Sequence, residues 1–326
     1  MNDLIALMAD VLVRATPLIM AGLAVSVAFQ AGVLNIGADG QLLAGATAAA
    51  IIGVKFGGLL GWGALPVALI AGALAGAGWA GIAAVLRARF RVLEVISTIM
   101  LNFVAAYGVS YLVRGPLQEP THVYPQTETI VSGAQLPRMI SGTRLHLGFI
   151  IAVGAAIVLW WVFRATAAGF RLQASGTNPF AARSAGMIDV THVTTMAFLV
   201  SGALAGVAGA IEVCGVTFAL YENISPGYGY TAIAVALLAG LHPIGVVGTG
   251  IVFGALEVGA NALQRDANVP ATLAAVIEAA VILLVIAVSQ TRIWRQERGQ
   301  RDEGAATPNR TLIVAASTVT APEIDE

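Results

Sequence analysis

The residues of this chain that could do chemistry are few, and they lie inside apolar runs at helical spacing. In GVLNIGADGQLLAG, from Gly32 to Gly45, Asn35, Asp39 and Gln41 interrupt two stretches apolar enough to sit in lipid. Asn35 and Asp39 are i and i+4, as are Thr98 and Asn102, while Glu257, Asn261 and Gln264 are i, i+4 and i+7. Residues so spaced share one helix face. Polar groups at membrane depth cost free energy unless they face protein or water. Each stripe therefore reads either as the lining of a solute path or as helix-to-helix hydrogen bonding worth up to about 2 kcal/mol. The cluster of Asn35, Asp39 and Gln41 exceeds what such bonding requires and reads as path, as do Glu257 and Asn261 where their stripe turns inward. For Thr98 and Asn102 both readings stand. Glu212 and Glu278 are single carboxylates in apolar spans, and Glu257 and Glu278 read as structural or path-flanking rather than ion-coupling. Glu94, close to Arg91, reads as half of an interfacial ion pair. Gly37 and Gly40 let a helix start or break, so a discontinuous or closely packed membrane helix is expected here.

Enzymatic motifs are missing. The only lysine, Lys55, precedes Phe56, so there is no phosphate-binding Gly-Lys-Ser/Thr loop. The histidines, His122, His146, His192 and His242, are scattered, with no H-E-x-x-H, and the one cysteine, Cys214, lies in an apolar run and reads as packing. The chain is expected to be no enzyme and to hold no metal or cofactor of its own.

The elements that must position these residues follow from composition. Of 326 residues, 58% are hydrophobic and 11% charged, with a mean hydropathy of +0.84, outside the range of soluble domains. The fold class is an all-α polytopic membrane bundle, and its 37 glycines suit close packing of helices in a bilayer. With about 20 apolar residues per span, nine segments emerge, at roughly 11–31, 35–55, 62–86, 92–113, 147–163, 192–215, 228–242, 244–264 and 270–290. The seventh is short enough to be a half-helix. Residues 1–291 form the expected transmembrane domain, and 292–326 a polar, disordered tail.

Arginine placement orients the bundle. Arg87, Arg89 and Arg91, then Arg164, Arg171 and Arg183, then Arg292, Arg295, Arg298, Arg301 and Arg310 collect on one side, which the positive-inside rule makes cytoplasmic, with the C-terminus. Nine spans then leave the N-terminus outside, with no cleavable leader evident in MNDLIALMAD. The proline-rich external loop, about 114–146, is expected to be extended and irregular. The cytoplasmic loop, about 165–191, predicts a short helix: Thr177 or Asn178 as N-cap, Pro179 in the first turn, then Ala181, Ala182 and Arg183, and a stop at Gly186. Such a helix is shaped to dock in a groove of another protein. A plain interhelical turn is the alternative.

At GVLNIGADGQ, EVISTIMLNF, RGPLQEP, ASGTNPFAARSAGM and GYGYTAIAVALLAGLHPIGVVGTGIVFGALEVGANALQR the chain resembles the permease subunits of ABC importers for simple sugars, branched-chain amino acids and nucleosides, most closely the nucleoside branch. The resemblance implies a type II importer fold. An ATPase subunit, carrying the ATP and Mg chemistry, would dock on the loop holding Asn178, Pro179, Ala181, Ala182, Arg183 and Gly186. A second homologous permease would complete the channel, as a heterodimer or homodimer, and a substrate-binding lipoprotein or periplasmic protein would deliver solute. It also implies one further span before LVRATPLIMAGLAVSVAFQAG, giving ten with both termini inside. The expected solute is a nucleoside or related ribose-containing molecule, with simple sugars or branched-chain amino acids as the alternative. A rival class is a secondary transporter coupled to protons or sodium through Asp39, Glu212, Glu257 or Glu278.

Overall fold

A computed structural model describes residues 2–184 and 188–266, with Pro270, Leu273, Val276, Ala279 and Ala280 beyond, and the described residues form helices and loops. Contacts group residues 1–278 into one body. Helix α1 (Asn2–Gln30) starts well before the expected boundary and runs unbroken through Pro17. Helix α2 (Ala38–Ile51) continues through a π-turn at Ile52–Phe56 into the short α3 (Gly57–Leu60). After a turn at Gly61–Gly63 comes α4 (Ala64–Phe90), so the 53-residue apolar run 38–90 is a hairpin rather than one span. Gly61 takes φ +52°, a left-handed angle that glycine adopts without strain.

Helix α5 (Glu94–Arg114) follows a tight turn in which Arg91, at φ +55°, caps α4 by donating its backbone N–H to Arg87 O. Then come α6 (Gly148–Ala165), α7 (Ala167–Thr177), α8 (Pro179–Ser184), α9 (Val190–Glu212, extended by a π-turn to Thr217), α10 (Tyr228–Leu238) and α11 (Pro243–Asp266). Six runs among the described residues are long and apolar enough to cross a membrane. Counting the 38–90 hairpin twice, they match seven of the nine expected segments. Helix α10, at 11 residues, reaches only about 16 Å, so the seventh expected segment cannot cross alone. The expected span 270–290 with Glu278, the tail and Gly186 lie outside the described residues.

Helices α1 and α9 form the centre, mostly buried, while α5, α6 and α11 show most of their length to the surroundings. The centre is held by close backbone approach. Gly202 and Gly206 of α9 face Gly76 and Gly72 of α4 in antiparallel order, and Gly45 of α2 meets Gly206 from the other side. A Cβ at Gly206 would collide with the carbonyl oxygen of Gly72, which is why small residues recur here every fourth position.

The long loop 115–147 is irregular, as expected, but closely tied down. Thr127 N and Ile130 N donate to Leu220 O and Phe218 O, each at 2.8 Å, and Leu136 N donates to Cys214 O at 2.7 Å. Cys214 lies in the π-turn that ends α9, whereas Phe218 and Leu220 follow it, in the irregular segment before α10. Ile130, Ala134, Leu136 and Leu145 are buried beneath this loop.

Candidate functional site

The polar cluster forms where the chain re-enters the bundle. After α1 it turns at Gly32, φ +74°, runs extended and starts α2 only at Ala38. The first-turn N–H groups of α2 are orphans in a place water does not reach, where each costs about 1–3 kcal/mol if left unpaired. Side chains take up Gly40 N and, just before the helix, Gly37 N. Asn35 Oδ1 accepts from Gly37 N and from Gln41 Nε2, both at 3.0 Å, while Asn35 Nδ2 donates to Gln41 Oε1 at 3.1 Å and Ser201 Oγ at 2.9 Å. Asn102 Oδ1 accepts from Gly40 N at 2.9 Å, and its Nδ2 donates to Ile36 O at 3.0 Å and the Tyr230 hydroxyl at 3.1 Å. Asn35, Gln41, Thr98 and Asn102 are all buried. Thr98 Oγ1 donates to Glu94 O of its own helix at 2.7 Å, and its Cβ lies against Gly37.

Asp39 joins two helix starts. It lies in the first turn of α2, and its Oδ1 accepts from Ser225 Oγ at 2.7 Å and from Gly229 N, in the first turn of α10, at 3.1 Å. A carboxylate between two helix N-termini meets the positive end of both dipoles. This gives Asp39 a structural occupation that needs no bound cation.

A second cluster gathers round Arg14. Its guanidinium lies 3.1 Å from Glu257 Oε1 and donates to the Tyr228 hydroxyl at 3.1 Å. Glu212, buried on α9, is near enough to Arg14 to interact electrostatically. Asn261 and Gln264, further along α11, line a cavity of about 300 Å³ together with Asp10, Arg14, Arg144 and Arg265. The structure thus brings Asn35, Asp39, Gln41, Thr98 and Asn102 together, and assigns Glu257 and Asn261 to another assembly. Glu94 pairs with Arg87, at 3.6 Å, rather than Arg91.

The two clusters are joined by residues that stripe-reading passed over. In the first turn of α10, Tyr228 bonds Arg14, Gly229 bonds Asp39 and Tyr230 bonds Asn102. The only sequence signal was the GYGY tetrapeptide itself. Ser201 and Ser225, single hydroxyls in the sequence, carried none.

The third element is the α7–α8 loop. Thr166 Oγ1 caps α7 by accepting from Gly169 N at 3.1 Å, and Asn178 Oδ1 caps α8 by accepting from Ala181 N at 3.0 Å. Pro179 opens α8, where its missing N–H is no loss. Asn178, Pro179, Ala181 and Arg183 are exposed, whereas Ala182 is buried, turned toward the bundle. The most exposed apolar group here is Phe180, at 78%. The loop is tied to the bundle through Gln30: Gln173 Nε2 donates to Gln30 Oε1 at 3.1 Å, and Gln30 Nε2 donates to Leu241 O, between α10 and α11, at 2.7 Å. Gly176 packs directly on Gly32, the start of the extended entry to the polar cluster.

At the opposite end of the bundle, Arg114 grips Glu222 bidentately, Nε to Oε1 at 2.8 Å and Nη2 to Oε2 at 2.6 Å, and Ser110 donates to the same carboxylate. The Arg114 hydrogen bonds pull the Glu222 carboxyl down to about 2. His146, at the end of the long 115–147 loop, is buried, and its Nδ1 accepts from Gly148 N at 3.2 Å. Burial pushes its imidazole down to about 4 from an ordinary value near 6.5. An unfolded chain therefore takes up this proton first as pH falls, and folded stability declines from pH about 6.5 to about 4 and then levels off. The stability of the purified chain in detergent, followed by its unfolding temperature, is expected to fall over that window by up to about 3 kcal/mol, and His146→Gln is expected to flatten the fall. A His146→Gln chain with the same decline between pH 6.5 and 4 would assign the sensitivity to other groups.

Comparison with known proteins draws these pieces together. Residues 7–286 match the family described as branched-chain amino acid transport system / permease component. A glucose ABC transporter permease protein, TsgB13 of Haloferax volcanii, is 40% identical over 287 residues, covering 85% of this chain and 75% of that protein. The guanosine ABC transporter permease protein NupP of Bacillus subtilis is 39% identical over 274 residues, 83% of this chain and 78% of its own. The nucleoside ABC transporter permease protein NupB of Lactococcus lactis is 31% identical over 278 residues, 82% and 76% of the two chains. A bundle of apolar helices around a hydrogen-bonded polar interior, matched by the family model over most of its length, makes this chain a multi-pass membrane protein that belongs to the ABC importer permease family.

Proposed function

We propose that this chain is the membrane-spanning subunit of an ATP-binding-cassette importer that carries a nucleoside or related ribose-containing solute across the cytoplasmic membrane. The observation that carries the importer reading is the exposed α8 with Phe180 at its surface, braced through α7 and Gln30 to α1 and to the α10–α11 turn. A partner that grips α8 can move those three elements together. That partner would be an ATPase subunit, which holds ATP and Mg and performs the hydrolysis, so the chain itself is a permease and no enzyme. The α7–α8 end, shared by Arg87, Arg89, Arg91 and Arg164, faces the cytoplasm in this reading, and the C-terminus is inside. A second homologous permease and a substrate-binding lipoprotein or periplasmic protein complete the transporter.

Nucleosides are favoured as cargo by the guanosine and nucleoside permeases among the relatives, and by a polar interior built of amides and hydroxyls. Asn35, Asp39, Gln41 and Asn102 set the helix ends that border the path, Thr98 packs beside them, and Glu257 and Asn261 flank it. A second reading, a simple sugar, is supported by the glucose permease relative. Ion coupling is less well supported, because Asp39 serves as a cap and Glu257 is ion-paired with Arg14. The test is uptake of labelled nucleosides, glucose and branched-chain amino acids by cells with and without the gene. Loss of nucleoside uptake is expected. Loss of glucose uptake alone would overturn the cargo and leave the importer class, and transport by vesicles that lack an ATPase but hold an ion gradient would overturn the class.

A further inference from the structure

The six tyrosines of this chain are not spread over it. Tyr107 and Tyr111 lie on α5, Tyr124 in the external loop, and Tyr221, Tyr228 and Tyr230 just before or within the start of α10. Hydrogen bonds make these segments one continuous wall: Gln126 pairs with Tyr221, Arg114 and Ser110 hold Glu222, and Asn102 holds the Tyr230 hydroxyl. Within that wall Tyr107 is 74% exposed, Tyr111 72% and Tyr230 44%, with Phe103 half exposed between them.

Their depth argues against a headgroup-level role. At 1.5 Å per residue along α5, Tyr107 lies about 10 Å below Arg114, and Asn102, which holds Tyr230, about 18 Å below. Aromatic belts form at the two membrane surfaces. The exposed tryptophans follow that rule, Trp62 in the hairpin turn and Trp161 beside Arg164 at the end of α6. Phenolic hydroxyls in hydrocarbon lack partners, and the exposed face of α6 at comparable depth offers Ile157 and Val158 instead. A file of exposed tyrosines that continues from the surface to mid-depth therefore fits a surface met by something flat and partly polar.

We propose that Tyr111, Tyr107, Phe103 and Tyr230 form an aromatic ladder along which the solute moves, and that the ladder selects solutes with a planar heterocyclic base by stacking. The inference deepens the nucleoside reading above and rests on it. Stacking tolerates any base and needs no deep pocket, which suits successive weak contacts along a route. Ring hydroxyls at Tyr107 and Tyr230 are placed to meet ribose hydroxyls as the base leaves one ring for the next.

The one cysteine of this chain, Cys214, is buried, so a cysteine introduced on an exposed face is the accessible thiol of this chain, and labelling is read on this chain alone. In the assembled transporter with its ATPase and permease partners in liposomes, Tyr107→Cys is expected to react with a water-soluble maleimide, and Ile157→Cys on α6 is not. Guanosine or uridine should slow labelling at position 107 about fivefold or more, and ribose should not. Tyr107→Leu is expected to cut nucleoside uptake about tenfold, the effect of losing one stacked base, while Tyr107→Phe restores it to within about twofold. Equal reactivity at both positions, protection by ribose equal to that by nucleosides, or undiminished nucleoside uptake by Tyr107→Leu each overturns the ladder and leaves the nucleoside reading standing. A wild-type transporter that takes up sugars and no nucleoside overturns both.

Discussion

An Asn102→Leu chain is expected to lose about 4 kcal/mol of stability, and with it most of the folded protein recovered from membranes. The estimate follows from what the amide serves. It satisfies Gly40 N and Ile36 O, two backbone groups at the start of α2, and also the Tyr230 hydroxyl. Leucine has nearly the same size, so packing survives while the two backbone groups lose their partner, each worth about 1–3 kcal/mol. Thr98→Val provides the contrast, because that hydroxyl donates to carbonyls of its own helix, Glu94 O and Val95 O. It is expected to cost under about 1 kcal/mol. Thermal unfolding of both variants in detergent decides the matter: similar losses would mean that Asn102 is ordinary interhelical packing and that α2 does not depend on it for its start.

The second large effect is on coupling rather than folding. Phe180→Asp is expected to leave insertion and unfolding temperature unchanged, since the ring is exposed, yet to lower ATP-driven uptake by the assembled transporter about 100-fold or more. An aromatic anchor seated in a partner's pocket is worth about 2–4 kcal/mol on truncation, and a carboxylate there adds the cost of an unpaired charge. Phe180→Leu, which keeps an apolar anchor, should recover a large part. Uptake within twofold of wild type in Phe180→Asp would move the docking site elsewhere. Ala182 is a poorer probe of the same idea, because it is buried against the bundle and a large residue there would disturb folding and docking together.

Helix positions and the polar cluster could be read from the order of residues because both depend on local pattern. Apolar runs bounded by arginine and glycine mark α4, α5, α6 and α9 within a few residues, and NIGADG announces a broken entry to α2. The start of α1 lies earlier than expected because the polar residues in MNDLIALMAD look like a tail, yet the helix continues through them with Asp10 exposed on its surface. The work of each polar side chain was not legible, because its partners are remote. Asn102 serves backbone groups more than sixty positions earlier, and nothing in Thr98–Asn102 spacing distinguishes a residue that holds another helix's end from one that bonds its own. Phe180 was passed over for a related reason: in a chain this apolar, one more phenylalanine is unremarkable until its exposure is seen.

The turn at Tyr228, Gly229 and Tyr230 bears on how this protein can change over time. Three consecutive residues are each committed to a different helix, through Arg14 of α1, Asp39 of α2 and Asn102 of α5. A substitution at any one of those distant positions frees or crowds the same short turn, so its effect depends on what stands at the other two. The fitness of a variant at Arg14 cannot then be assigned without knowing residues 39 and 102, and replacements that are harmful singly become acceptable in combination. Drift toward a new cargo would have to pass through this turn in concerted steps, whereas the aliphatic outer face of α6, where no such sharing exists, is free to vary one residue at a time.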